Sequence, residues 1–206
     1  VNREDQDRFA AESYRRALAA STSGVFDEEI APVPVPGKKG SVKLFERDEC
    51  PVDTPYDTLA KMRPVFRKDG VGTAGNASII SDGAAAVVVM SREKAEELGC
   101  PIMAEIGAQA SAGIELQYVL RAPILAIPKV LKKEGIAIGD VDIFEINEAF
   151  SGTSVAINRV LGLEKAQVNV NGGSVALGHP IGASGARLLT ALLYQMRRQD
   201  ARTGLV

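Results

Sequence analysis

The strongest constraint on the fold is an alternation of short apolar runs with helical patterns between residues 84 and 198. Apolar runs of strand length lie at residues 84–90, 102–109, 141–146 and 167–171. Helical patterns lie between and after them, and glycines end several of these helices. Strands and helices in alternation are typical of an α/β layer, so the sequence predicts an α/β fold.

The first 70 residues follow a different pattern. Asn2 is expected to cap a helix that ends at Gly24, because its side chain can accept a hydrogen bond from the first helical turn. Prolines at every second position of residues 32–36 remove backbone donors and permit only an edge strand, which residues 42–45 complete as a hairpin. A charged connection and a short helix over residues 58–63 follow. The change of composition beyond them predicts a domain boundary near Gly70, between a unit 1–70 and a unit 71–206.

Composition narrows the function classes. The 206 residues are 46% hydrophobic and carry a formal net charge of −2, which gives no electrostatic footprint for nucleic acid or for an anionic membrane surface. No run of about 18 apolar residues is present that could span a bilayer. Two cysteines without metal-ligand spacing and a single histidine predict no metal site and indicate a reducing, intracellular compartment. The chain opens within a helix pattern and stops as an apolar run begins, so we expect a segment of a longer protein.

Polar residues follow two successive predicted strands. Asn147 comes directly after the run 141–146, and a glycine-rich loop with His179, the chain's only histidine, follows the run 167–171. In open α/β sheets, ligands bind beyond the carboxyl ends of the strands, so both residues are candidates for one site. Asn147 could instead simply cap the predicted helix 148–161, and His179 could be a solvated turn residue. The density of glycines around His179 favours a loop that faces a ligand.

A glycine-rich loop can bind the phosphate groups of a nucleotide, and this is the first hypothesis to consider for the segment. Gly178, Gly182 and Gly185 match neither the dinucleotide-binding spacing nor the P-loop spacing, and no lysine follows to reach a phosphate. A nucleotide-binding α/β protein is therefore the weakest of the alternatives.

Two motifs carry a family resemblance. The segment Asn147-Glu-Ala-Phe150 and residues 169–187, which read NVNGGSVALGHPIGASGAR, closely resemble the thiolases, a family that includes acetyl-CoA acetyltransferases and 3-ketoacyl-CoA thiolases. Further matches are TAGNAS at residues 73–78, SDGAAA at residues 81–86 and the opening VNRED. The resemblance implies a layered αβαβα fold built from two similar halves, with a loop domain inserted in the first. This chain would hold the last part of the loop domain (1–70) and most of the second half (71–206).

The resemblance also implies an activity. Thiolases move an acyl group from a thioester to a cysteine and then to coenzyme A (CoA) or to a second acyl-CoA, and they use CoA thioesters as substrates without a cofactor. His179 would activate the cysteine and, with a water held by Asn147, stabilise the oxyanion. Ser78 matches the serine that contacts the pantetheine arm of CoA, and Phe150 matches an aromatic residue that lines the acyl pocket. The cysteines of the family lie outside this chain, and a homodimer or homotetramer is expected.

Several positions depart from the family pattern. Cys50 and Cys100 match no cysteine motif of the family. An arginine that binds the nucleotide end of CoA in many relatives is missing after Asp48 and Glu49, and residues 119–123 read VLRAP where relatives often have MGxGP. The alternative function is a non-catalytic module that binds acyl-CoA or lipid or serves in assembly, against which the presence of both Asn147 and His179 argues. The expected location is cytoplasmic or, in a eukaryote, mitochondrial or peroxisomal.

Overall fold

The computed structural model describes residues 1–163 and 168–206. Helices and short strands follow one another along this part of the chain, with short 3-10 turns between some of them. In chain order they are α1 (Arg3–Thr22), β1 (Val33–Pro36), β2 (Val42–Phe45), α2 (Tyr56–Ala60), α3 (Arg92–Glu97), α4 (Ala122–Glu134), β3 (Ile143–Phe144), α5 (Ser151–Leu161), α6 (Ser174–Leu177), α7 (Ser184–Gln199) and β4 (Gly204–Leu205).

Helix α1 forms one side of a first hydrophobic core. Asn2 caps it as predicted: its side chain accepts a hydrogen bond from the amide of Asp5, whose carboxylate accepts one from the amide of Asn2. The buried face of α1 includes Tyr14 and packs against α2 and α6. Residues from these three helices make up the core: Ala10, Tyr14, Ala17, Leu59, Val175 and Ala176.

A second core lies where α4 and α5 pack around β3. Phe144 is at its centre, fully buried, and pairs in parallel with β4 on one side and with Val168 on the other. Parallel strands end at the same edge, so the residues that follow β3 and Val168 lie next to each other. This arrangement places the segments that carry Asn147 and Asn169 side by side.

The predicted hairpin is confirmed. Strands β1 and β2 pair antiparallel, with Val33 opposite Phe45 and Pro36 opposite Val42. All residues of both strands are exposed. The prolines therefore act as expected, since they allow one edge to pair and leave the other without donors.

The predicted strands over residues 84–90 and 102–109 are wrong. Neither segment forms a strand, and their apolar side chains face solvent; Val88 is 85% exposed and Ile106 60%. The apolar, β-branched composition suits a strand, but a strand exists only where a neighbour completes its hydrogen-bond ladder. Within the described residues, no strand is paired with either segment.

Other predicted elements are confirmed with shifted boundaries. Ser91 caps α3, α4 ends at the left-handed Gly135, and α7 and the terminal strand β4 form where expected. The predicted strand 141–146 shortens to β3, and the helix predicted over residues 148–161 begins at Ser151. Of the predicted strand 167–171, Gln167 lies outside the described residues and Val168 makes a single bridge. In the described part of the chain, no helix is long and apolar enough to cross a membrane.

Candidate active site

Asn147 and His179 meet across the end of strand β3. The Asn147 Nδ2 atom lies 3.3 Å from His179 Nε2. Asn147 follows β3, whereas His179 lies in the loop that joins α6 to α7. The alternative that Asn147 caps the following helix is wrong, because the N-cap residue of α5 is Phe150. The side chain of Asn147 therefore does not cap α5 and faces His179 instead.

The amide of Asn147 is held from the side opposite His179. Ser174, the first residue of α6, donates from its hydroxyl to Asn147 Oδ1 at 2.6 Å. Arg187 on α7 in turn donates from Nη2 to Ser174 Oγ at 2.9 Å. Sequence reasoning did not identify Ser174 or Arg187, although both lie inside the motif that pointed to His179.

His179 is fixed at three atoms. Its backbone amide donates to the carbonyl of Ile79 at 2.9 Å, Nδ1 lies 2.7 Å from Ser184 Oγ, and Nε2 faces Asn147. Burial and, to a lesser degree, the positive charge of Arg187 lower the pKa of His179 below its usual value. At neutral pH the imidazole is thus favoured in its uncharged form, which is the form that can accept a proton.

The segment over residues 76–79 contacts both the backbone that follows Asn147 and the loop that carries His179. The amide of Ser151 donates to the carbonyl of Asn76, and the amide of Ser78 donates to the carbonyl of Ala149 at 3.2 Å. Ser78 therefore lies beside the backbone of Phe150. The next residue along the chain, Ile79, accepts the hydrogen bond from the backbone amide of His179. The structure thus brings all four predicted site residues into one region, with Ser78 and Phe150 both half-buried.

Phe150 packs against an aromatic side chain from the first part of the chain. Its ring lies 5.8 Å from that of Phe66, in an edge-to-face arrangement. This contact covers part of the ring and leaves Phe150 half-buried. An acyl-pocket role for Phe150 stays a prediction.

Close backbone contacts shape the loop that carries His179. Gly178 has φ +95°, a conformation that other residues rarely adopt, and a Cβ atom there would overlap the side chain of Ser81. A Cβ atom on Gly83 would lie 2.7 Å from the ring of Pro180. The segment 81–83 therefore packs directly against the loop on both sides of His179.

Glu148 has a structural position that the sequence did not reveal. It was expected in the first turn of a helix, but it lies before α5 and is fully buried. Its carboxylate accepts hydrogen bonds from Ser13 Oγ at 2.7 Å, Asn169 Nδ2 at 2.9 Å and the amide of Val175 at 3.2 Å. Burial, the largest effect, raises the pKa of Glu148, and these bonds oppose that shift. Glu148 thereby ties α1 and α6 to the strand ends beneath Asn147.

A second buried carboxyl, Glu145, lies on β3's extension close to Arg187. Burial raises its pKa to about 8, although the charge of Arg187 opposes the shift. Glu145 Oε2 and Arg187 Nη1 are 4.0 Å apart, beyond hydrogen-bond distance, and neither atom has a hydrogen-bond partner among the described residues. The only sequence signal for this residue is a glutamate inside an apolar run.

Cys50 does not resemble a nucleophile. Cys100 is exposed, and burial together with Asp48 and Glu49 raises the pKa of the half-buried Cys50 thiol. A raised pKa keeps the thiol protonated, whereas a nucleophilic cysteine needs the thiolate. No group of three or more histidine, cysteine or acidic side chains suited to a metal ion occurs within the described ranges.

Comparison with known proteins decides the family. Residues 1–93 match the family model of the thiolase N-terminal domain, and residues 100–206 match that of the thiolase C-terminal domain. The chain belongs to the thiolase family.

Individual thiolases agree with this assignment. The chain is 50% identical over its whole length to an acetyl-CoA acetyltransferase of Pseudomonas aeruginosa, of which it covers 52%, and 49% identical over 95% of its length to a probable acetyl-CoA acyltransferase of Staphylococcus epidermidis, of which it covers 50%. It thus spans about half the length of these curated relatives.

Solved thiolase structures show the same fold. The crystal structure of the acetyl-CoA acetyltransferase from Bacillus anthracis superimposes with a TM-score of 0.96 at 41% identity, covering all of this chain and 53% of that protein. Human mitochondrial 3-ketoacyl-CoA thiolase gives a TM-score of 0.90 at 38% identity, covering 97% of this chain and 51% of that protein. The predicted thiolase-type α/β fold is confirmed.

Proposed function

We propose that the protein to which this thiolase chain belongs transfers acyl groups between acyl-CoA thioesters and CoA through a cysteine acyl-enzyme. The observation that carries the proposal is the placement of His179, whose Nε2 faces the amide of Asn147 at 3.3 Å. The names of the relatives, acetyl-CoA acetyltransferase and 3-ketoacyl-CoA thiolase, support this class of reaction. The division at Gly70 into a loop-domain part and a C-terminal domain part belongs to the same proposal.

His179 acts first as a base. Its Nε2 accepts the proton of the cysteine thiol, and the resulting thiolate attacks the carbonyl carbon of the acyl-CoA. In condensation, the C–S bond to CoA then breaks, which leaves the acyl group on the cysteine and a CoA thiolate that takes up a proton. In thiolysis, the thiolate attacks the 3-keto carbon of a 3-ketoacyl-CoA, the C–C bond to the α-carbon breaks, and the departing acetyl-CoA carbanion takes up a proton. The lowered pKa of His179 favours the uncharged imidazole that this step requires.

Asn147 and His179 then stabilise charge on the thioester oxygen. Asn147 holds a water molecule through its amide, and this water and the protonated Nε2 both donate to the oxygen as negative charge develops. An amide suits this task because it orients water without changing its own charge. In the second half-reaction, the thiol of CoA (in thiolysis) or the α-carbon of a second acyl-CoA (in condensation) gives up a proton to a base of the site and attacks the acyl group. The C–S bond to the cysteine breaks, and the cysteine leaves as a thiolate that is protonated again.

Ser78 and Phe150 contact the substrate in this proposal. Ser78 binds the pantetheine arm and Phe150 lines the acyl pocket, which fits their position on adjacent backbone segments beside His179. The substrates are acyl-CoA and CoA, the reaction needs no cofactor, and the protein assembles as a homodimer or homotetramer.

The test is the replacement of His179 in the full-length protein. His179→Ala should lower kcat by at least about 10²-fold, the usual loss for one oxyanion donor, with acetyl-CoA or acetoacetyl-CoA as substrate. His179→Asn keeps a side-chain donor close to Ser184 but has no base, so it should be equally impaired. Near-normal turnover in both variants would exclude His179 from the chemistry. Binding of acyl-CoA by the unaltered full-length protein without any turnover would favour the non-catalytic module instead.

A further inference from the structure

The hydrogen bonds around the site form a chain whose direction is fixed at its arginine end. An arginine has only donors, so Ser174 Oγ accepts from Arg187 and uses its own proton toward Asn147 Oδ1. At the other end, Ser184 donates its only hydroxyl proton to the carbonyl of Pro180 at 3.0 Å. Ser184 Oγ also lies 2.7 Å from His179 Nδ1, from which it accepts a hydrogen bond when the ring proton is on Nδ1.

The orientation of the Asn147 amide favours one tautomer of the neutral ring. Because Ser174 engages Oδ1, the amide nitrogen of Asn147 is the atom that faces Nε2, as a donor to its lone pair. A proton on Nε2 would set two donors against each other. Rotation of the amide would relieve this conflict, but it would break the 2.6 Å bond to Ser174 and turn a donor toward the serine hydroxyl.

We propose that Ser174 and Arg187 are positioning residues that hold the amide nitrogen of Asn147 toward His179 and so keep the imidazole neutral, with its proton on Nδ1. The catalytic consequence rests on the proposed function: an unprotonated Nε2 can exchange its weak 3.3 Å contact with Asn147 for the proton of the cysteine. Once Nε2 has taken the proton, it finds no acceptor in Asn147 and must direct the proton to the reacting thioester oxygen.

Packing makes the arrangement rigid. Ser174 is fully buried, and its neighbour Gly173 lies so close to the carboxylate of Glu148 that a Cβ atom would overlap it. Arg187, with a side chain 24% exposed, projects from α7. Ser174 therefore cannot move to make a new hydrogen bond if the Asn147 amide rotates.

The charged groups around His179 do not select the Nδ1–H tautomer of its ring. Arg187 on α7 lowers the pKa of His179 through its charge, which opposes protonation without choosing a tautomer. The carboxyls Glu145 and Glu148 from the β3 side interact with Arg187. Cys50, whose Sγ would lie 3.6 Å from a Cβ atom on Gly178, has a thiol with a raised pKa and is uncharged at neutral pH.

The test uses the 206-residue chain and nitrogen NMR of its imidazole. His179 is the only histidine, so one pair of ring-nitrogen signals reports its tautomer and its protonation. In the unaltered chain, the neutral ring should be in the Nδ1–H form. Ser174→Ala should introduce the Nε2–H form and raise the titration midpoint by roughly 0.4 to 1 pH unit, the shift that corresponds to one net hydrogen bond. A neutral ring in the Nε2–H form in the unaltered chain would overturn the proposal without any variant.

Ser154→Ala is the matched control. Ser154 is also a buried serine, but its hydroxyl has no hydrogen-bond partner in the part of the chain that the structure describes, so this change should leave the His179 signals unaltered. Asn147→Ala removes the group through which Ser174 acts, so Ser174→Ala should produce no further shift in that background. An undiminished effect of Ser174→Ala without Asn147, or an unchanged titration in folded Ser174→Ala, would overturn the proposal. Neither measurement requires acyl transfer, so their outcome is separate from that of the turnover test.

Discussion

Glu145 shows how burial determines the charge of a single residue. Its side chain is fully buried on the extension of β3, and one oxygen has no hydrogen-bond partner. Burial raises its pKa to about 8, so the carboxyl is mostly protonated at neutral pH. A group whose pKa is higher in the folded than in the unfolded state stabilises the fold below the unfolded value, near 4.5, and loses that contribution as pH rises through 8.

Replacement of Glu145 by glutamine should therefore change the pH dependence of stability. Glu145→Gln mimics the protonated form, so the variant should gain stability relative to the unaltered chain as pH rises from 5 to 9, by on the order of a few kcal/mol. Denaturant unfolding at several pH values measures the difference. Glu115→Gln, at an exposed position, is the control and should give a flat difference. Equal pH dependence for Glu145→Gln and the unaltered chain would show that Glu145 is ionised in the folded state.

Helix α1 matters for the site although none of its residues is in it. Tyr14 packs in one core with Val175 and Ala176 of α6, and Ser13 donates to Glu148 and accepts from the amide of Gly173. The helix thus supports the segment from which Ser174 reaches Asn147. We therefore expect a small destabilisation of α1 to lower the free energy of unfolding of the whole chain. A larger one would be needed to alter the geometry of the site.

The N-cap of α1 allows this to be tested. Asn2→Ala removes the acceptor for the amide of Asp5, and we expect a loss of about 1 kcal/mol in the free energy of unfolding. Asn2→Ser keeps a capping oxygen and should lose far less. Thermal or denaturant unfolding of the three proteins distinguishes the outcomes. Equal stability of Asn2→Ala and the unaltered chain would mean that the cap contributes nothing to the fold.

On the scale of the whole molecule, apolar side chains of the segments 84–90 and 102–109 are exposed. Val88, Val89 and Ile106 are each at least 60% exposed, and neither segment pairs with a strand in the described residues. An exposed apolar stretch without charges, such as residues 84–90, is a template for association between molecules, and residues 102–109 carry only one charged residue, Glu105. We therefore expect the 206-residue chain to self-associate through these segments.

Charged substitutions should reduce this association. Val88→Glu and Ile106→Glu should each raise the soluble concentration of the 206-residue chain, with little effect on its unfolding, because the side chains are exposed and bury little on folding. Val160→Glu, at an exposed valine of α5, is the matched control and should change solubility less. Light scattering against concentration gives the measurement. Unchanged association in both segment variants would show that the chain self-associates through another surface.

Local sequence patterns were sufficient to predict the family, most of the helices and the hairpin. Helix ends were readable because caps such as Asn2 and Ser91 and stops such as Gly135 act within a few residues. His179 and Asn147 were found for the same reason: a histidine among glycines and an asparagine after a strand are local signals. Their roles in catalysis stay predictions.

The residues that hold the site together became visible only in the folded chain. Ser174, Arg187, Glu145 and Glu148 make their contacts between elements that lie far apart in the sequence or on different faces, and no local pattern shows such pairs. The failed strands at residues 84–90 and 102–109 have the same cause, since a strand depends on a neighbour that its own residues cannot specify. Local chemistry therefore placed the ends of elements and the reactive side chains, whereas long-range packing decided which strands formed, which carboxyls were buried and how the amide of Asn147 was oriented.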